Sequence, residues 1–279
     1  MTKTTTTTAH GSRLSFRGLL LSERIKPSSL RSTVWCDGIM FIPNIGLGAL
    51  LAIAFQQRPD GTAALDQSFW VTTGTVGIDL SQLVIAVLGA LVITGEYGTG
   101  MIRSSLTAVT KGLPALLSKA VVIALVTFAV SLASIFGAAL LAQLVPGGKG
   151  LNLDRADGRA WGALIGGAAL LTLVGLVALF LSTIVRNSAA GISAVLGLIL
   201  GAPIVLQIFA SVTRASWVQN VFEFLPSSAG SRLYGYAATP APTIPDVVVL
   251  DPGQGLLMMI AWVLFFGIIA GVQLKRRDV

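Results

Sequence analysis

The chain has 279 residues, 54% hydrophobic and only 11% charged, with 19 Lys and Arg against 12 Asp and Glu. A soluble domain carries about a quarter of its residues as charges, so this composition excludes an ordinary globular enzyme and indicates a membrane protein. The net charge of +7 is spread along the chain, which argues against nucleic acid as a partner, and one Cys and one His leave no ligand set for zinc or haem.

The start is polar and Thr-rich (Thr4 to Thr8) and contains His10, so residues 1–13 read as a disordered tail. The apolar run at 19–21 is too short to be the hydrophobic region of a signal peptide. Residues 14–25 place Arg13, Arg17 and Arg24 on one side and Leu14, Leu21 and Ile25 on the adjoining strip, with Phe16 and Leu20 on the other flank. That pattern suits a helix lying in the headgroup layer. Cys36 opens an apolar segment and reads as a small buried hydrophobe.

Six segments then reach the roughly 20 apolar residues that cross about 30 Å of hydrocarbon. They are 33–55, 71–94, 120–145, 161–185, 189–212 and 256–274. Only Arg186, Asn187 and Ser188 separate the fourth from the fifth, which predicts a tight helical hairpin. Asp251-Pro252-Gly253-Gln254 resembles a capping box at the start of the sixth. With both termini in the cytoplasm, Lys3, Arg13, Arg17, Arg24, Lys26, Arg31, Arg103, Lys111, Lys119, Arg186, Lys275, Arg276 and Arg277 all fall inside, as the positive-inside rule requires. Gly162/Gly166, Gly197/Gly201 and Gly267/Gly271 each place two glycines on one helix face and predict close packing of spans.

Polar residues inside spans are the default functional candidates. Thr72, Thr75, Asp79 and Gln82 recur at helical spacing in the second span, and Asp37 and Asn44 share a face of the first, with Pro43 between them. Asp79 is the one acid well inside the hydrocarbon, where a carboxylate must be paired, hydrated or protonated. Two readings stand for Asn44, Thr75, Asp79 and Gln82: a polar lining for a transport path, or an interhelical hydrogen-bond cluster that fixes packing.

The enzyme classes lack their motifs. The single His excludes a Ser-His-Asp triad, no H-E-x-x-H occurs, and the glycine-rich runs at 95–100 and 147–150 lack phosphate-loop spacing. After the second span, Glu96 is followed by Gly98 and Gly100, where a helix breaks, and Thr99 can cap a short helix from Met101. Ile102, Leu106 and Val109 share one face of it while Arg103, Ser104 and Thr107 point elsewhere. Such an amphipathic helix on the cytoplasmic side is what a membrane subunit presents to a soluble motor. Residues 217–225 are strongly apolar (Trp217, Val218, Val221, Phe222, Phe224, Leu225), too short to span but long enough to enter the outer leaflet and return, with Pro226 expected to end the helix.

Several stretches together carry a resemblance. Ser22-Glu23-Arg24, Ser29-Leu30-Arg31-Ser32-Thr33, Trp35, the run from Gly95 to Val109, and Phe224-Leu225-Pro226-Ser227-Ser228-Ala229-Gly230 resemble the permease subunits of bacterial ABC transporters of the ABC-2 class, especially those of actinobacteria. The likeness runs from about residue 14 to the C-terminus and is most specific from Glu96 to Val109, departing at Thr110, where many relatives carry proline.

The resemblance implies an all-α fold: an interfacial elbow helix within 14–32, then a six-helix transmembrane domain over 33–279 with a re-entrant hairpin at 217–225. It assigns a cytoplasmic coupling helix to Glu96, Gly98, Thr99, Gly100, Met101, Ile102, Arg103 and Leu106. The implied function is the non-catalytic transmembrane subunit of an ATP-driven exporter in the bacterial plasma membrane. It works with two copies of a separate ATPase, which holds ATP and Mg, and with a second permease copy, identical or homologous, in membrane lipid. This chain itself binds no cofactor. A gradient-driven carrier or channel using Asp79, and a membrane anchor or sensor without a path, are the alternatives.

Overall fold

The computed structural model describes residues 31–56, 67–98, 112–143, 154, 156–213, 215–236 and 247–277. Among these the secondary structure is helical without strands, and six helices are long and apolar enough to cross a membrane. The tail, the elbow segment 14–25 and residues 99–111 lie outside the described residues; Arg31 and Ser32, grouped with the elbow in the sequence, begin the first long helix.

The first span is α1 (Arg31–Gln56), which carries Pro43 within it. The second, expected to be continuous, is two helices, α2 (Gln67–Thr75) and α3 (Ile78–Gly98). The local cause is readable from Val71 to Gly77, where two Val, three Thr and two Gly give poor helix propensity. Thr73 and Thr75 also turn their hydroxyls onto the carbonyls of Phe69 (2.8 Å) and Val71 (2.9 Å). The regular ladder ends with Val76 N–H on Thr72 and resumes with Ser81 N–H on Gly77.

The third span is α4 (Gly112–Gln143), which begins eight residues before the sequence-based start at 120 and has Pro114 in its first turn, where proline is tolerated. The fourth, α5 (Gly158–Val185), is the axis of the bundle, packed on α3, α4 and α10. Asp157 caps it by accepting from Arg159 N–H, and Arg186 ends it in a left-handed conformation (φ 59°). Asn187 then caps α6 (Ser188–Leu196), so the expected tight hairpin is present.

The fifth span is also irregular. A π turn (Gly197–Gly201) separates α6 from α7 (Ala202–Thr213), with Ala202 N–H on the Gly197 carbonyl. Pro203 lies next to it and has no N–H to donate, which disfavours a regular ladder. Before the turn α6 packs on α3 and α5; after it, α7 buries none of its residues.

Two short helices follow, α8 (Ser216–Glu223) and α9 (Pro226–Tyr234). The helix of the apolar segment ends before Pro226, as expected, and Pro226 also opens α9 at its first position, with Leu225 extended before it (ψ 151°) as proline demands. The last span is α10 (Pro252–Arg277), whose start has the expected reciprocal contact: Asp251 N–H donates to Gln254 Oε1 at 3.1 Å.

Glycines set the tightest approaches. A Cβ on Gly166 would overlap the Leu233 carbonyl and one on Gly230 the Leu170 side chain, so these glycines let α9 sit close against α5. Of the three paired-glycine faces, Gly267 and Gly271 meet Phe180 and Leu113, Gly162 is open while Gly166 is packed, and Gly197 and Gly201 both face open space.

Candidate functional site: the break in the second span

The break is held where α1 and α3 cross. A Cβ on Gly77 would overlap Asn44 Cα and crowd the Pro43 carbonyl, so only glycine lets the chain turn there. Asn44 is fully buried, and its Nδ2 donates to Ser134 Oγ of α4 at 3.0 Å. Ser134 in turn donates to the Ser131 carbonyl at 3.0 Å.

Asp79 stands in the first turn of α3, on the exposed side of the break. At 1.5 Å per residue it is about 18 Å from Gln67 along the span. Its Oδ1 accepts from Tyr234 Oη at 3.1 Å and from Gln82 Nε2 at 3.5 Å. The amino-terminal end of a helix carries partial positive charge, so this placement favours a carboxyl group. Asp79 has no ion pair among the described residues.

The four polar candidates therefore divide. Asp79 and Gln82 belong together, Asn44 faces α4 instead, and Thr75 spends its hydroxyl on its own helix. Thr72 is exposed on α2. Tyr234 joins the site from 155 positions away; sequence reasoning missed it because its segment, short and only partly apolar, gave no periodic signal linking it to the second span.

Two further groups hold α9 and its surroundings. Glu223 and Arg232 form a two-pronged pair, Nη2 to Oε1 at 2.6 Å and Nε to Oε2 at 3.1 Å, across the α8–α9 turn. At the end where α5 begins, Tyr236 Oη donates to Asp157 Oδ2 at 2.7 Å. That bond, with the Arg159 N–H and charge, holds the Asp157 carboxyl below its ordinary 3.8 against a smaller opposing effect of desolvation. At this same end Trp161 stacks on Phe136 and meets Trp70 edge to face, as aromatics gather at membrane interfaces.

Of the residues expected to couple to a motor, Glu96 and Gly98 lie in the last turn of α3, whereas Thr99, Gly100, Met101, Ile102, Arg103 and Leu106 lie outside the described residues. No group of three His, Cys, Asp or Glu side chains converges among the described residues. In comparisons with known proteins, no family model and no curated protein matches the chain.

Proposed function

We propose that this chain is the transmembrane subunit of an ATP-driven exporter of the ABC-2 kind, in the bacterial plasma membrane with both termini cytoplasmic. A separate ATPase pair supplies the energy and a second copy of the chain completes the path. The observation that carries this reading is the helix pair α8–α9 before the last span. Its turn reaches Trp262, whose Nε1 donates to the Phe224 carbonyl at 2.9 Å. Trp262 is ten residues, about 15 Å, beyond Pro252 along α10. A helix pair folded back that far along a span is what an outer re-entrant hairpin requires. The Glu223–Arg232 pair supports it further, since charges entering the membrane must be paired. The glycine-broken run from Glu96 to Val109 supplies the coupling element.

The exposed Asp79 favours a second reading, a gradient-driven carrier. An exposed carboxyl that deep is costly against lipid, so water or a second copy must cover this face. One experiment separates the two. The chain is purified from the membranes of its own host, and vanadate-sensitive ATP hydrolysis is measured for wild type and for Glu96→Ala combined with Arg103→Ala. The ATP-driven reading expects copurifying hydrolysis, reduced at least about tenfold (1.4 kcal/mol of docking) in a double variant that still inserts normally. Unchanged hydrolysis in the double variant removes the coupling role. Transport that persists without the ATPase and collapses with the proton gradient establishes the carrier.

A further inference from the structure

Lys119 stands in the sequence just before a span expected to begin at 120, as one of the cytoplasmic cations. In the structure α4 begins at Gly112 and carries Lys119 two turns inside it, about 10 Å from its start. The residue is only 6% exposed and shares the inward stripe of α4 with Leu116 and Ala120. Those two pack in one cluster with Ile93 of α3, Leu179 and Phe180 of α5 and Ala270 of α10. An ammonium buried among them must be paired.

The packing of α5 fixes its level. A Cβ on Gly167 would meet Ile78 of α3 and Ile135 of α4, and one on Gly175 would meet Ile85 and Thr127. Eight residues along α5 thus advance seven along α3 and step back eight along α4. One further interval brings Thr183, itself buried, level with Lys119 and with the α3 turn that holds Ile93. Glu96 follows Ile93 by three residues, about 4.5 Å along the helix.

The described helices offer little else that is negative. α4, α5 and α10 contain no acid. Asn44 of α1 meets Ser134, and Gly48 meets Ala138, so α1 and α4 run in parallel. Asp37 therefore falls near the level of Thr127, about 12 Å from Lys119 along α4. The end of α5 is closed by the Arg186 N–H on the Ser182 carbonyl. What remains is the last turn of α3, with the partial negative charge of its carbonyl end and Glu96 in its sequence. The four-carbon stem of a lysine spans that separation.

We propose that Lys119 is a positioning residue, whose ammonium clasps the last turn of α3 to the start of α4. The clasp fixes the two flanks of residues 99–111, the stretch assigned above to the ATPase, and the inference rests on that ATP-driven reading. A push on this stretch then moves α3 and α4 together, and α3 carries it to the break at Gly77.

The test titrates the ATPase that copurifies with wild type, separated and added back, onto the full chain in detergent. Vanadate-sensitive hydrolysis is the readout. Lys119→Met, similar in length and uncharged, should raise the ATPase concentration for half-maximal hydrolysis at least about tenfold, with the rate at saturation unchanged. Lys119→Arg keeps the charge and should stay within about threefold of wild type. Without ATPase, Lys119→Met should unfold within about 3 °C of wild type, since an apolar side chain can replace a buried charge at little cost. Lys119→Gln carries the same expectations and tests the charge even if the Met variant does not fold. Wild-type affinity in either uncharged variant overturns the proposal, as does a loss in Lys119→Arg as large as theirs. A Lys119→Gln chain that loses affinity and Tm together makes the role merely structural and also overturns it. A wild-type chain that takes up no ATPase overturns instead the ATP-driven reading beneath it.

Discussion

The second and fifth spans are both interrupted near glycines, yet the two interruptions are opposite in kind. At Gly77 the backbone of α3 lies directly on that of α1, so the break is buried and its geometry imposed by a neighbouring helix. At Gly197 and Gly201 nothing lies within contact of an added Cβ, and α7 beyond them buries none of its residues. The same sequence signal, glycine in an apolar run, marks close packing in one span and an open face in the other. What distinguishes them is the neighbour, not the residue. The buried break brings Asp79 to the start of a helix; the open one leaves a half-span with an apolar surface available to lipid or to another chain.

The largest effect should come from exchanging these environments. Gly77→Ala forces two backbones apart and should cost at least about 3 kcal/mol, read as loss of monodisperse protein after extraction. Gly201→Ala should stay within about 1 kcal/mol of wild type in the same assay. Equal effects at the two positions would erase the distinction.

Next in size is the pair holding α8 to α9. Glu223→Gln leaves Arg232 without its partner in a partly buried site and should cost about 2 kcal/mol in thermal unfolding. Adding Arg232→Met should recover most of that loss. A double variant no better than the single one would show that the pair's attraction is not what holds the turn.

Much of the architecture was legible because membrane spans are announced by length and hydropathy alone. All six were located, as were the Arg186–Ser188 hairpin and the contact between Asp251 and Gln254. What escaped was tertiary in origin. The run from Val71 to Gly77 is apolar enough to count as span, and its break depends on the backbone of Pro43–Asn44, which no local pattern reveals. That break split the expected stripe: Thr75 turned inward to Val71, while Asp79 kept Gln82 and gained Tyr234 rather than Asn44. Pro226 closes off one helix, as expected, but that it also starts another was not legible, because the short segment after it is only partly apolar.

Smaller effects test the ties between the second span and the helix pair. Tyr234→Phe removes one hydrogen bond to Asp79 and should cost about 1 kcal/mol. A double-mutant cycle with Asp79→Asn should show coupling between the two positions, and additive losses would mean that the bond does not form in the membrane. The smallest effect is expected at Asp157. Its carboxyl is held below 3.8, so its ionised form contributes stability that is fully present above that value and lost as the pH falls through the lower folded value. Wild type should therefore exceed Asp157→Ala in Tm at neutral pH, with the gap narrowing only below about pH 4. A gap independent of pH would assign the effect to something other than the charge.

The proposed ATP-driven exporter and its gradient-driven alternative part at Asp79, the exposed carboxyl of the break: the first expects exposure of this face to follow the ATPase, the second the proton gradient. Asp79→Cys in a Cys36→Ser background, reconstituted in vesicles with the ATPase, tests this difference most directly through reaction with a membrane-impermeant thiol reagent. The account predicts measurable labelling whose rate changes at least severalfold when vanadate traps the ATPase, and which ignores collapse of the proton gradient. An unreactive cysteine, or labelling that follows the gradient and not the nucleotide, would contradict it.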